Sequence, residues 1–131
     1  MGKATDFDHI VEMFAGFGPV AVRRMFGGAG IFADGLMIGI LDESVVYLKA
    51  DEITRPDFER EGLGPFTYAT RHGERALASY WRMPERLYDE PDEMARWATA
   101  ALACARRSTG RKVGGASRRR VSRKSIKQAK R

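Results

Sequence analysis

The sequence predicts an α+β fold in which three helices pack on an antiparallel sheet of about five to six strands, followed by a basic C-terminal tail. Apolar residues recur at helical spacing near both ends of the chain. Between them lie short segments rich in β-branched and aromatic residues, joined by turns too short for parallel crossovers. The predicted element order is one helix, four strands, one helix, two strands and one helix.

The first helix is predicted from apolar residues at spacings of 3, 4 and 7. Thr5 is a suitable N-cap residue, and Gly18-Pro19 ends the helical pattern. The residues that define the apolar face are Phe7, Ile10, Val11 and Phe14.

Four strands are predicted to follow as a meander. Asp34-Gly35 is a strong two-residue hairpin signal, and a second turn is predicted at residues 42–44. The predicted strands cover Val20–Phe26, Ala29–Ala33, Leu36–Leu41 and Val45–Ala50.

The second helix is predicted to begin after Thr54, which we assign as its N-cap residue. Ile53 and Phe58 then occupy the positions of a hydrophobic staple. A second hairpin is predicted from Phe66–Thr70 and Arg75–Met83, so His72 is interpreted as a turn residue.

The last helix is predicted to begin at Pro91, with acids in its first turn and basic residues at its end. Beyond Gly110 we expect the ordered structure to end. The buried stripe is predicted to comprise Met94, Trp97, Ala98, Ala101, Leu102 and Ala105.

The charge of the chain changes sign near residue 106. Residues 1–105 hold 11 Lys/Arg and 17 Asp/Glu, a net charge of −6, whereas residues 106–131 hold 12 Lys/Arg and no acid. We therefore divide the chain into a folded domain, residues 1–107, and a basic, flexible tail, residues 108–131.

Three glycines within four positions suggest a phosphate-binding loop, because residues 28–33 satisfy G-x-G-x-x-A. That motif requires a helix directly after the glycines. The hairpin signal at Asp34-Gly35 leaves only three residues for it. We therefore interpret Gly27, Gly28 and Gly30 as a bulge in a strongly twisted sheet.

The sequence contains no constellation typical of an enzyme. Cys104 is the single cysteine and is interpreted as a buried thiol, while His9 and His72 are expected at the surface and in a turn. We expect no catalytic residue, metal or cofactor. The absence of a signal segment or a membrane-length apolar run predicts a cytoplasmic protein without membrane contact.

Four blocks of the sequence resemble the TfoX (Sxy) N-terminal domain family. The central block is Arg23-Arg24-Met25-Phe26-Gly27-Gly28, and the resembling run extends through Gly30 to Phe32. The other three are Tyr47-Leu48-Lys49-Ala50-Asp51, Pro65-Phe66-Thr67-Tyr68 and Tyr80-Trp81-Arg82-Met83-Pro84. The resemblance covers nearly all of residues 1–107.

This resemblance implies a small α+β domain that forms dimers and regulates natural competence together with a cyclic-AMP-responsive activator at promoters. Longer members have a second, C-terminal domain, and the basic tail stands where that domain would begin. The expected protein partner is therefore a transcription factor, and the expected assembly is a homodimer. We expect one of Tyr80 and Trp81 in the core and the other at a dimer surface, since neighbours on a strand face opposite ways.

The tail is expected to bind DNA or another polyanion without sequence specificity, because phosphate contacts carry no sequence information. Of Arg23 and Arg24, one is expected to pair with an acid and the other to be exposed. Alternatives are a tail that docks on the acidic domain, a tail that only aids solubility, and a dimeric protein–protein adaptor. The predicted nucleic-acid-binding residues are Arg111, Lys112, Arg118, Arg119, Arg120, Arg123, Lys124 and Lys127.

Overall fold

The computed structural model describes residues 7–25 and 27–117, with the backbone alone described for residues 111–117. Within them the predicted α+β class is confirmed: six antiparallel strands form one sheet, ordered β1-β2-β3-β4-β6-β5. The strands are β1 Ala21–Met25, β2 Gly28–Ala33, β3 Leu36–Asp42, β4 Val45–Lys49, β5 Pro65–Thr70 and β6 Gly73–Arg82.

Three α-helices, together with a 3₁₀ turn at Glu85–Tyr88, accompany the sheet in the described residues. They are α1 Phe7–Met13, α2 Arg55–Arg60 and α3 Pro91–Ser117. All three contribute to one hydrophobic core, with α3 lying over β3 and β4. The predicted α3 stripe is confirmed for all its members except Trp97, which is half-buried.

The two faces of the sheet have different environments. In β4, Val46 and Leu48 are fully buried beneath the helices, whereas Tyr47 and Lys49 point to the opposite face and are half-buried. We call this opposite surface the open face, because none of the described helices is packed on it.

The β5–β6 hairpin bends toward the open face. Pro65 pairs with Trp81, but the next residue, Phe66, pairs with Leu77, so the pairing shifts by several residues at this point. Such irregularities bend a strand and increase its twist. The bend brings Phe66 onto Tyr47 of β4, with ring centroids 4.9 Å apart.

The start of α2 departs from the predicted capping pattern. Thr54 occupies the N-cap position but makes no side-chain cap hydrogen bond. Asp51 Oδ1 instead accepts hydrogen bonds from the backbone N–H groups of Ile53 (3.0 Å) and Thr54 (3.3 Å). Ile53 is 63% exposed while Phe58 is buried, so the predicted hydrophobic staple is wrong.

The last helix continues further than the sequence predicted. α3 runs through Gly110 to Ser117, whereas we expected order to end after Gly110. Its length of 27 residues corresponds to about 40 Å. Within the described residues, no helix combines the length and apolarity needed to cross a membrane.

Candidate functional site

A bidentate ion pair joins α3 to the segment between β4 and α2. Arg107 donates two hydrogen bonds to Asp51, from Nε to Oδ2 at 2.8 Å and from Nη2 to Oδ1 at 3.1 Å. Asp51 is 9% exposed. The hydrogen bonds from Arg107 lower the pKa of Asp51 to about 2, against the opposing effect of burial and with further help from the backbone N–H groups of Thr54 and Ile53.

Cys104 and Thr54 complete this buried cluster. The Cys104 sulfur lies 3.3 Å from Thr54 Oγ1 and 3.3 Å from Arg107 Nη2. Burial raises the pKa of the thiol, and this effect outweighs the hydrogen bond with Thr54. Cys104 is thus a buried thiol, as predicted, and is held in its neutral form.

A second ion pair lies next to the first on α3. Arg106 pairs with Asp34 in the β2–β3 turn at 2.5 Å, but both side chains are more than half exposed. The two neighbouring arginines therefore attach the same part of α3 to the β2–β3 turn and to the start of α2. Both contacts lie directly before the basic tail, residues 108–131.

The predicted nucleic-acid-binding residues lie at the end of the described chain or beyond it. The backbone at Arg111 and Lys112 is part of α3. The other six predicted residues, Arg118, Arg119, Arg120, Arg123, Lys124 and Lys127, lie outside the described residues.

The arginines of β1 point to opposite faces of the sheet, as the strand geometry predicts. The Arg23 guanidinium lies over the Phe32 ring on the open face, 5.5 Å from its centroid. Arg24 lies over the Phe7 ring of α1, at 5.2 Å. Each cation thus contacts an aromatic ring, an arrangement typical of cation–π pairs. Both residues are exposed.

The glycines of the central motif shape a hairpin, not a ligand-binding loop. Gly27 has a φ of +85° and lies between β1 and β2, where Met25 pairs with Gly28. A Cβ on Gly28 would lie 2.5 Å from the Leu41 carbonyl oxygen. The bulge that we predicted at the glycines occurs one residue later, between Ile31 and Phe32. β3 follows β2, so the helix required for a dinucleotide site is absent here.

Tyr80 and Trp81 point to opposite faces, but both are buried. Trp81 packs in the core beside Phe58, with ring centroids 6.1 Å apart. Tyr80 is 6% exposed, with its hydroxyl 3.4 Å from the Met37 carbonyl oxygen and Lys49 Nζ 4.9 Å from its ring centroid. Burial raises the pKa of Tyr80 to about 12. The prediction that one of the two lies in the core is confirmed by Trp81, whereas the prediction that the other lies at a free surface is wrong, because Tyr80 is buried as well.

A cavity of about 360 Å³ lies between α2 and α3. Phe58 and Trp97 form its apolar wall, meeting edge-to-face with centroids 5.0 Å apart. At its rim, Arg86 donates hydrogen bonds to Glu61 at 2.8 Å and to Glu93 at 2.6 Å, which lowers the pKa of both carboxyl groups. Because these three side chains satisfy one another, they act as a bridge between the two helices.

The described residues contain no group of three or more His, Cys, Asp or Glu side chains that could hold a metal ion. His72 lies in the β5–β6 turn, as predicted, where its backbone N–H donates to Thr70 Oγ1 at 3.1 Å. His9 is half-buried on α1.

The Asp51–Arg107 pair is not predictable from local sequence. In the sequence, Asp51 belongs to the resembling Tyr47–Asp51 block and lies at about the distance expected of the acid in a dinucleotide-binding motif, while Arg107 is a basic residue at a helix end. Their separation of 56 positions leaves no local pattern that would join them. A usable signal is the position of Asp51 just before a predicted helix start, because an Asp side chain can accept the backbone N–H two residues further on, as in an Asx turn.

The fold and the contacts of α3 define a small α+β domain whose last helix is fixed to the sheet and leads into a basic segment. The sequence model of the TfoX N-terminal domain matches residues 12–105, and the chain belongs to this family. No curated protein matches the chain.

Proposed function

We propose that the protein is a non-enzymatic regulator that acts in transcription or competence-type control through protein contacts, while its basic tail supplies non-specific affinity for nucleic acid. The observation that carries the proposal is the segregation of charge. Ten Lys/Arg and no acid lie in residues 108–131, next to a domain, residues 1–107, with 13 Lys/Arg, 17 Asp/Glu and hence a net charge of −4. The membership of the TfoX N-terminal domain family supports a regulatory role.

The contacts of α3 support a tail that begins at a fixed point on the domain. Arg106 and Arg107 are bound by acids of the domain, so their charges are compensated where α3 meets the sheet. The cations that follow have no acidic neighbours in sequence. Such a segment attracts phosphates by counterion release and reads no bases.

A salt titration of duplex DNA binding tests the proposal, with the full chain compared with a chain truncated after Arg107. Each phosphate contact adds about −0.9 to the slope of log K against log salt, so six contacts would give a slope of about −5. We expect the truncated chain to lose this slope together with its affinity. Undiminished binding by the truncated chain would reject the role of the tail.

The matched control keeps the tail and changes the domain. Glu52→Gln and Glu59→Gln alter two exposed acids on the helix side of the sheet and leave residues 108–131 intact. The control is expected to keep the slope of the full chain. A slope that changes in the control as much as in the truncated chain would point to overall charge instead of the tail.

The second candidate function is a dimeric protein–protein adaptor, and the open face favours it. Met25 and Tyr68, two large apolar side chains of this face, are 37% and 44% exposed. Sedimentation and pull-down experiments separate the two functions. A dimer without affinity for DNA at low salt would favour the adaptor.

The single, buried Cys104 suits a reducing compartment, and we place the protein in the cytoplasm on that ground. Its raised pKa also supports a non-enzymatic role, because a neutral, enclosed thiol is a poor nucleophile.

A further inference from the structure

A groove of about 680 Å³ lies between the β3–β4 turn and the edge strand β5. Its lining includes three carboxylates, Asp42, Glu43 and Glu74, and no Lys or Arg. None of the ion pairs among the described residues involves these three acids. We call this surface the β5 groove.

Aromatic rings form one wall of the β5 groove. Phe66 stacks on Tyr68 with centroids 6.1 Å apart, and its other side meets Tyr47 edge-on at 4.9 Å. Tyr68 is 44% exposed, so its ring is open to a ligand. Aromatic faces bordered by carboxylates are suited to guanidinium and ammonium groups, which they bind through cation–π contacts and charge pairing.

The strand that borders the groove, β5, also has a free edge. β5 pairs with β6 on one side and is an edge strand on the other. An edge strand presents unpaired N–H and C=O groups to which an extended segment can add. The groove therefore fits an extended, cationic stretch of polypeptide.

We propose that the β5 groove binds the distal tail of the same chain, residues 118–131, and that nucleic acid competes with the groove for this segment. The distal tail carries eight Lys/Arg and no acid over 14 residues, which gives it the charge opposite to that of the groove. Only the competition depends on the function proposed above. The docking itself is independent of nucleic acid.

The chain is long enough for this contact within one molecule. Arg106 contacts Asp34 at one end of β3, and the groove lies at the other end, about 24 Å away along seven residues. Residues 108–117 add at most about 15 Å if α3 continues straight away from the domain. Fourteen extended residues span about 46 Å, which exceeds this upper bound by about 7 Å. The end of the chain therefore reaches the groove even if α3 points straight away from it, and more of the segment reaches it in any other direction.

The experiment measures how fast trypsin removes the distal tail from the full chain, followed by the intact mass. The groove variant carries Asp42→Asn, Glu43→Gln and Glu74→Gln. The control variant carries Glu12→Gln, Glu52→Gln and Glu59→Gln, which removes the same charge from exposed acids elsewhere. In about 0.01 M salt, we expect roughly fivefold to tenfold faster loss from the groove variant, the effect of losing three exposed charge contacts.

At about 1 M salt, where the Debye length falls to about 3 Å, the three proteins are expected to lose the segment at the same rate. Equal rates for the groove and control variants at low salt would overturn the proposal. Protection that disappears on dilution would also overturn it, because the groove would then hold the segment of a second copy. Thr67→Lys is a single change at an exposed position of β5 that places a cation in the groove, and it should accelerate cleavage as well. Agreement between this variant and the triple variant would show that the effect of the triple variant does not come from misfolding.

A DNA titration then tests the competition. The groove variant should bind duplex DNA more tightly than the control variant at low salt, by the same roughly fivefold to tenfold factor. Equal affinities would overturn the competition. Protection from trypsin without DNA binding by the full chain would contradict the proposed function and leave the docking intact, so the two failures are distinguishable.

Discussion

Arg107 holds both carboxylate oxygens of Asp51, with Nε 2.8 Å from Oδ2 and Nη2 3.1 Å from Oδ1. The same carboxylate accepts the backbone N–H groups that open α2. One acid thereby fixes two helices relative to β4. The contact is bidentate and largely shielded from water, which makes it stronger than an ordinary surface ion pair.

We expect Arg107→Ala to lower the free energy of unfolding by about 2–3 kcal/mol, because it leaves a buried carboxylate without its cation. The neighbouring Arg106→Ala is the control, since Arg106 and Asp34 are more than half exposed. Its effect should stay within about 0.5 kcal/mol. Urea unfolding measures both variants, and equal losses would contradict the special role of the Asp51 contact.

The same contact predicts a dependence of stability on pH. The pKa of Asp51 is lowered from 3.8 to about 2 in the folded chain, so the unfolded chain binds more protons in this range. The stabilisation is present above pH 4 and is lost as the pH falls toward 2, by about 2 kcal/mol in total. Asp51→Asn should flatten the curve over this window in urea titrations. Asp34→Asn should leave it steep, and a flat wild-type curve would contradict the shift.

Gly28→Ala is expected to destabilise the fold by about 1–3 kcal/mol, because the new Cβ would lie 2.5 Å from the Leu41 carbonyl oxygen and the strands would have to separate. Gly64→Ala is the matched control, since its Cβ would meet nothing within 4 Å. Thermal unfolding of both variants compares them. A similar melting temperature for the two variants would show that β2 and β3 can move apart at Gly28 without a loss of stability.

The Tyr88 hydroxyl supports β4 from outside the sheet, accepting a hydrogen bond from the backbone N–H of Val46 at 2.9 Å. Tyr88→Phe leaves this buried donor unpaired and should cost about 1–2 kcal/mol of unfolding free energy. Tyr68→Phe removes a hydroxyl from a ring that is 44% exposed and should cost less than about 0.5 kcal/mol. Chemical denaturation checks the difference.

The sequence predicted those elements whose signals are local. Alternation defined the strands, the Asp34-Gly35 turn placed the β2–β3 hairpin, and helical spacing identified the buried stripe of α3. The 3₁₀ turn at Glu85–Tyr88 was not predicted, since a single short turn leaves no period in the sequence. Nor was the end of α3 at Ser117, because three glycines beyond residue 109 predict the opposite.

The contacts of the site depend on residues far apart in the chain, which explains why they were not predicted. The rings of Tyr47 and Phe66 come together because β6 is irregular opposite Pro65 and Phe66, and nothing in the local sequence marks that irregularity. Burial of Tyr80 also depends on residues far away in the sequence. Strand alternation predicts its face, but its neighbours there are Met37, whose carbonyl oxygen is 3.4 Å from the Tyr80 hydroxyl, and Lys49, whose Nζ is 4.9 Å from the ring centroid. The local sequence pattern therefore predicts the helices, the strands and the face on which each strand residue lies. The β5 groove depends instead on the irregular pairing of β5 with β6.

Cys104 offers a direct measure of how firmly α3 is held. It is 1% exposed and its pKa is raised, chiefly by burial, so a thiol reagent should reach it only when α3 separates from the sheet. We expect labelling of the native chain to be at least about a thousandfold slower than labelling in urea. Arg107→Ala should accelerate labelling more than Arg106→Ala, because only the former frees the helix from Asp51.

As a positive control, Thr99→Cys in a Cys104→Ala background places a thiol on the exposed side of α3 and should react rapidly. Native labelling of Cys104 as fast as labelling of that control would mean that α3 is not held on the sheet. It would then also contradict the proposal that the basic tail begins at a fixed point on the domain.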